Sequence, residues 1–449
     1  MEQQKPATVS RRGFVAASGA AAGLMIVPRG VAAAAGETPP GEKLNIASIG
    51  INGRGGAILG EAARSENIVA LCDVDTRRAD RVYERFPNAK RYKDFRQMFE
   101  EMSDQIDAVT VGTPDHTHAA AVMAALKRGK HVYCEKPLAH SIQEIRTMRQ
   151  AARERGLVTQ LGNQGHSSGD IRKCCEMIRD GAIGNVHTIH ACCGAVHCRI
   201  DALPRIMDYH AVPADLDWDL WLGPAKWRPY NPMYLPGAWR AWSPFGSGTI
   251  GDWVCHVVDP SFWALELGAP KSVEAEVIDF NPKLHADTFP RGSRIRFEFP
   301  STEKRGPVTL YWYSGEWKMP KQPGLAVDKI PDTGALILGD EGGLVHGSHG
   351  GGGVRLFPQK LAEIYKQPEP SLPRVRGHME DWLDSIRAGK PAGSHFEYGG
   401  PLTELARLGI IAELSPNTRL EWDGAAGRFT NSDEANQYLN PPYREGWTL

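Results

Sequence analysis

Leu44-Asn45-Ile46-Ala47-Ser48-Ile49-Gly50-Ile51-Asn52-Gly53-Arg54-Gly55-Gly56 is the stretch that decides the fold. Its first half is a short apolar run that reads as a buried strand. Its second half is glycine-rich and leads into a helix over 57–65. A glycine turn between strand and helix lets the backbone approach a pyrophosphate, and the helix N-terminus adds partial positive charge. In the G-x-G-x-x-G frame, Gly50 and Gly55 hold the outer positions and Asn52 replaces the middle glycine. Gly53 keeps the loop permissive, and Arg54 stands beside it. A loose glycine match alone is weak evidence; its place straight after the first strand strengthens it.

Downstream, a second strand over 68–72 ends at Asp73. An acidic side chain there hydrogen-bonds an adenosine ribose and repels a 2′-phosphate, which favours NAD. Arg77 and Arg78 lie close enough to leave NADP open, and Asp75 reads as the cap of the next helix. Helices over 76–86 and 95–102 follow, then a strand over 108–111 ending in Gly112-Thr113-Pro114. An alanine-rich helix over 118–127 precedes a strand over 131–134, stopped by Glu135-Lys136-Pro137. A helix over 141–155 and a strand over 158–161 complete the alternation. This pattern predicts a doubly wound parallel sheet, a Rossmann domain over 42–163. After a helix over 170–180, alternating segments at 186–193, 273–278, 293–299, 308–313 and 335–338 predict a large, mainly antiparallel open sheet. With helices over 377–388 and 403–414 they make 164–449 a second, substrate-binding α/β domain. Residues 201–247, rich in Pro, Trp and Gly, read as long ordered loops.

Upstream, Ser10-Arg11-Arg12-Gly13-Phe14 reads as a twin-arginine export signal. A weakly apolar stretch follows, then A-x-A sites within Val31-Ala32-Ala33-Ala34-Ala35, so residues 1–35 form the expected signal peptide. The apolar stretch, about 14 residues against the roughly 20 that span a bilayer, is too short for a stable anchor. The expected location is periplasmic, or otherwise outside the cytoplasm, with the export machinery as a partner. No soluble NAD pool exists there, so a nicotinamide enzyme would keep its cofactor tightly bound and regenerate it in place.

The chain has 449 residues, with 52 basic and 53 acidic side chains. Such a balance gives no support for nucleic-acid binding and suits a small-molecule partner. The 8 cysteines show no framework spacing. Folding before export takes place in a reducing compartment, so free, mostly buried thiols are expected.

Three further motifs carry the chemistry. Thr113-Pro114-Asp115-His116-Thr117-His118 and Glu135-Lys136-Pro137 each sit at the carboxyl end of a strand, where open α/β sheets place their ligands. Much later comes Gly251-Asp252-Trp253-Val254-Cys255-His256, which sets Asp252 and His256 on one helix face. Together with Asp217-Trp218-Asp219-Leu220-Trp221-Leu222-Gly223-Pro224 and Pro442-Tyr443-Arg444-Glu445, these motifs resemble the Gfo/Idh/MocA family of oxidoreductases, in particular an exported subgroup. The resemblance implies that Lys136 lies beside the nicotinamide and contacts the reacting hydroxyl. It implies that Asp252 and His256 complete a proton relay, with His256 the acid/base, and that Pro114 and His118 line the nicotinamide end. With Thr113 and Glu135 from the same motifs, these residues join Gly50, Asn52, Gly53, Arg54, Gly55 and Asp73 as the expected cofactor site. Independently, removing a hydride from a secondary alcohol needs a base for the hydroxyl proton, and histidine titrates near neutrality.

Other residues carry open readings. Asn163, Gln164 and His166 follow the last parallel strand and could reach substrate; a turn between domains explains them nearly as well. Trp218, Trp221, Trp227, Trp239 and Trp242 divide evenly between a sugar-facing surface and core packing, with Arg240 and Trp242 favoured as the substrate-facing pair. His187, His190, Cys192, Cys193, His197 and Cys198 invite a metal site, but strand alternation splits them between faces, and none is expected. The run Gly347 to Gly353 reads as a mobile loop.

The expected function is NAD(P)-dependent oxidation of a sugar, polyol or glycoside hydroxyl on a retained cofactor. The alternative is a redox-neutral NAD-dependent glycoside hydrolase or lyase working through a transient 3-keto sugar. A non-catalytic sugar sensor is disfavoured by the presence of Lys136, Asp252 and His256 together. The open sheet face suits a homo-oligomer.

Overall fold

The computed structural model describes residues 42–449; the export signal expected over 1–35 lies outside the described residues. Six strands form a wholly parallel sheet: β1 (Asn45–Ile49), β2 (Asn67–Cys72), β3 (Lys90–Tyr92), β4 (Ala108–Val111), β5 (His131–Glu135) and β6 (Thr159–Gly162). Their order is β3-β2-β1-β4-β5-β6. The order reverses direction between β1 and β4, so a crevice opens at their carboxyl ends. The fold class is the one the sequence predicts. β3 was not anticipated, because two of its three residues are exposed and charged and it pairs only at the sheet edge. The helix expected over 76–86 is a 3-10 turn at Thr76–Arg78 followed by a helix at Asp80–Arg85.

The second sheet has nine strands: β7 (Val186–Cys193), β8 (Ser272–Ile278), β9 (Gly292–Phe299), β10 (Val308–Ser314), β11 (Thr333–Gly339), β12 (Gly343–Gly347), β13 (Arg355–Phe357), β14 (Leu420–Asp423) and β15 (Arg428–Phe429). They run in the order β13-β12-β11-β7-β10-β9-β8-β14-β15, and every pairing is antiparallel except β7 with β10.

Helices place the chemistry between the sheets. They are α1 (Arg54–Ala62), α2 (Asp115–Lys127), α3 (Ile142–Glu154), α4 (Gly169–Arg179), α5 (Gly248–Val257), α6 (Asp259–Ala264), α7 (His378–Ala388) and α8 (Phe396–Glu413). α8 begins seven residues before the expected start, running through Gly399, Gly400 and Pro401. These are helix breakers in isolation. Here α8 packs across β8, β9 and α5, and burial of Leu402, Leu405, Ala406 and Leu408 at 0 % exposure overrides propensity. Gly409 lets α5 approach: a Cβ there would lie 2.7 Å from Ile250 Cδ1.

All eight cysteines are free, and seven are buried. Glu176 on α4 staples the segment before α7. It accepts from Ser371 N and Leu372 N at 2.9 Å each, and from both amino groups of Arg374 at 2.8 Å. The Arg374 bonds hold its pKa down at about 2. A depressed carboxyl stabilises the fold above its ordinary pKa and loses that contribution as pH falls toward the folded value. Wild type is therefore expected to exceed Glu176→Gln by about 2–3 kcal/mol at pH 7. Urea unfolding should show that gap shrinking between pH 4.5 and 2.

Candidate active site

The glycine turn is built by exclusion. Gly50 has φ +75°, a conformation that L side chains rarely adopt. A Cβ on Gly55 would lie 2.0 Å from the Gly50 carbonyl oxygen, and one on Gly112 would lie 2.5 Å from Gly55 Cα. The start of α1 thus sits directly on the ends of β1 and β4. Its N-cap is Gly53, with no capping side chain and no acidic residue in the first turn. That end can take an anion. Asp73 ties the turn to β2: Oδ2 accepts from Ile51 N at 3.1 Å and from Asn52 Nδ2 at 3.2 Å, and Oδ1 accepts from Asp75 N at 3.0 Å. Burial raises the Asp73 pKa despite these bonds. Arg77 is held by Asp75 at 2.6 and 2.8 Å.

From Asp73 and Arg78 a cavity of about 520 Å³ runs past Gly50, Asn52, Gly53 and Arg54. It continues along Thr113 and Pro114 to Glu135, Lys136, Gln164, Arg240, His256 and His349. An acidic end, a bare helix terminus and glycines with no room for a Cβ fit a dinucleotide in extended form.

At the far end, Lys136 Nζ donates to Asp252 Oδ1 at 2.5 Å and to the Asp252 carbonyl at 2.8 Å. An ammonium has three protons, so one is left for a ligand. Asp252 Oδ1 also accepts from Arg240 Nε at 3.1 Å, and Oδ2 faces His197 Nε2 at 2.9 Å. Burial works to raise the Asp252 pKa, but Lys136, His197 and Arg240 outweigh it and hold the carboxyl well below its ordinary range. His256, one turn along α5, is 5 % exposed, and its ring makes no hydrogen bond among the described residues. Burial, then the charge of Lys136, pushes its pKa well below 6.5, so the ring is neutral at pH 7. His349 stacks on it with ring centroids 4.2 Å apart, and burial lowers its pKa too. Glu135 takes Arg54 Nε at 2.8 Å and Gln164 Nε2 at 2.9 Å, fixing the cavity wall between the two ends.

Several sequence expectations need correction. Trp242 does not face substrate. It is 0 % exposed in an aromatic cluster with Tyr234 and Phe245, and its indole donates to the Met233 carbonyl. Asn163 is also 0 % exposed and is consumed by Asp259 at 3.0 Å and Ser394 at 2.6 Å. His118 stands behind the cavity wall, 1 % exposed, with its ring nitrogens 2.9 Å from the Pro137 and Thr113 carbonyls. It braces the two motifs from behind. The Gly347 to Gly353 run is not simply a loop: it forms a short turn that docks Gly350 against Gly165 and carries His349 into the cavity. His349 was missed because nothing in a glycine run marks its one imidazole. His197, in the His/Cys run where no metal site was expected, pairs with Asp252. Trp239, rather than Trp242, lines the cavity, with the Arg240 guanidinium 4.3 Å from its ring centroid. Among the described residues, no three His, Cys, Asp or Glu side chains are grouped to hold a metal.

Comparisons with known proteins agree with this architecture. Residues 44–163 match the GFO_IDH_MocA family described as "Oxidoreductase family, NAD-binding Rossmann fold", and residues 202–303 match its "C-terminal alpha/beta domain". The chain belongs to the Gfo/Idh/MocA oxidoreductase family. Members similar to it include an inositol 2-dehydrogenase of Rubrobacter xylanophilus, 34 % identical over 147 residues, which are 32 % of this chain and 42 % of that protein. A 2,7-anhydro-N-acetylneuraminate hydratase of Escherichia coli is 33 % identical over 88 residues, 20 % of this chain and 24 % of the relative. The chain therefore spans well under half the length of these Gfo/Idh/MocA relatives. The solved structure of an aldose-aldose oxidoreductase from Caulobacter crescentus shares the fold with TM-score 0.54 and 16 % identity, covering 85 % of this chain and 100 % of that one.

Proposed function

We propose that the protein oxidises a secondary hydroxyl of a sugar, polyol or glycoside, using an NAD that it retains between turnovers. The observation that carries this reading is the convergence of Lys136, Arg240, His256 and His349 at one end of a cavity whose other end is the glycine turn and Asp73. The substrate class draws on relatives named for inositol and for an anhydro-N-acetylneuraminate. A nicotinamide held in this cavity supplies the hydride acceptor. Lys136 donates its free N–H to the substrate oxygen and steadies the charge that develops there. Asp252 keeps Lys136 and Arg240 in register. His256, neutral and without a partner, takes the hydroxyl proton.

Asp73 favours NAD over NADP, because Arg77 is already engaged by Asp75 and a 2′-phosphate would meet a carboxylate. Asp73→Ala is expected to weaken NAD binding about thirtyfold, the worth of a charged hydrogen bond of about 2 kcal/mol. NADP should lose less. Titration of both nucleotides into stripped protein checks the ratio.

Retention is supported by a strap. In the Trp-rich segment, Asp215 O accepts from Thr76 N at 3.2 Å and Asp217 N donates to Val74 O at 2.9 Å, bridging Leu216 to Asp75 beyond β2. The same segment then lines the cavity with Leu220, Trp221, Leu235, Pro236 and Trp239. Captive NAD suits the export and extracytoplasmic location that the leader suggests. A homo-oligomer formed through the second sheet belongs to the same reading. No helix among the described residues is long and apolar enough to cross a membrane.

A second reading is redox-neutral cleavage. The stacked His256–His349 pair favours it, because His349 offers a second imidazole acceptor beside His256. In this reading C3 is oxidised, the acidified C2–H is removed, the C1–O bond breaks, water adds, and the hydride returns. NMR product analysis of the full protein on glycosides and free sugars, without added NAD, separates the two. Free sugar and aglycone at the original oxidation level over many turnovers favour cleavage. A keto-sugar or lactone, or conversion halting at one equivalent, favours net oxidation. Unchanged substrate throughout the panel would overturn both.

A further inference from the structure

A second cavity, of about 350 Å³, lies beside His116 at the start of α2, among Phe280, Phe289, Pro290, Ile411, Pro442 and Arg407. Its size is that of a small-ligand pocket. Phe280, Phe289, Pro290, Ile411 and Pro442 give it an apolar wall, and charged side chains, Arg407 among them, line the rest. Arg407 on α8 is 8 % exposed, and its guanidinium makes no hydrogen bond and no ion pair among the described residues; Nε is wholly buried without a partner. Glu144, Asp115 and Glu413 offset part of its burial through space, but none of them forms an ion pair with it; an arginine fork is shaped to take a carboxylate through two parallel bonds.

The acidic neighbours do not supply that partner. Glu144 is occupied by the Tyr443 hydroxyl at 2.5 Å and by His140 N at 2.8 Å. Glu413 lies outside ion-pair distance, and burial pushes its pKa up to about 7, so it is substantially protonated at neutrality. Lys226 adds positive charge to the cavity lining, while Arg228 is paired with Asp287. A dianion such as phosphate would meet Glu144 with no apolar group to bury against the walls. We propose that this cavity binds a small organic monocarboxylate with an apolar body, its carboxylate paired with Arg407. The site stands apart from the hydride chemistry and uses none of its residues.

The test is isothermal titration of the full-length protein with phenylacetate and with its neutral amide, phenylacetamide. Phenylacetate is expected to bind at least tenfold more tightly than the amide. Arg407→Gln should erase that preference. Ala286→Trp, at the exposed rim of the cavity, should weaken phenylacetate at least tenfold and leaves α8 untouched should Arg407→Gln fail to fold. Equal affinity for acid and amide, undiminished binding in either folded variant, or no binding to the wild type overturns the proposal.

Discussion

Lys136→Met is expected to purify with the same nucleotide content and melting temperature as wild type, and to turn over about 10³-fold more slowly. The side chain is 11 % exposed and bonded only to Asp252, so its removal breaks no structural bond beyond that pair. Asp252 keeps Arg240 and His197 as partners, which spares the fold the full cost of an orphaned buried carboxylate. Chemistry, in contrast, loses the N–H aimed at the substrate oxygen. Single-turnover conversion of a sugar on the captive nucleotide separates this from a binding defect: the rate constant should fall while substrate affinity changes only a few-fold. A turnover within tenfold of wild type would remove Lys136 from the reaction.

Gly55→Val should have the largest effect on the cofactor. Even the first carbon of the new side chain falls 2.0 Å from the Gly50 carbonyl and 3.0 Å from that of Gly112. Both contacts are backbone, so neither can rotate away. Relief requires α1 to lift from the ends of β1 and β4, which moves the helix N-terminus and the Asp73 bonds to Ile51 and Asn52 together. The expected result is protein without nucleotide, destabilised by about 3–5 kcal/mol. Absorbance of the purified variant and its thermal unfolding measure both. Gly53→Ala is the control: it has positive φ but nothing within 4 Å of the new Cβ. It should cost only about 1 kcal/mol and keep much of its nucleotide.

The parallel sheet was legible because its strands are continuous apolar runs ended by Asp73, Gly112 and Glu135, and those ends line the cavity. Lys136, Asp252 and His256 were legible for the same reason: strand ends and an i, i+4 spacing fix direction without tertiary information. What escaped depends on contacts distant in sequence. His349 reaches His256 only because Gly350 packs on Gly165. Trp242 and Trp239 look alike in sequence, yet the first fills the aromatic cluster and the second the cavity wall. Asn163 and His118 sit next to functional positions, but Asp259, Ser394 and two carbonyls claim them. Polar residues near a site read the same whether they face the ligand or brace the wall behind it.

The bridge between Leu216 and Asp75 joins the two halves of the cavity through one piece of chain. In the proposed reading, a nucleotide leaving this end would first undo the hydrogen bonds to Val74 and Thr76 and shift the segment that carries Trp221 and Trp239. The lifetime of that complex would then be set by a conformational opening rate rather than by affinity. Added free NAD would not speed exchange, and mild denaturant would. Under the retention proposed above, the protein would acquire its nucleotide once, as it folds, and thereafter age with it.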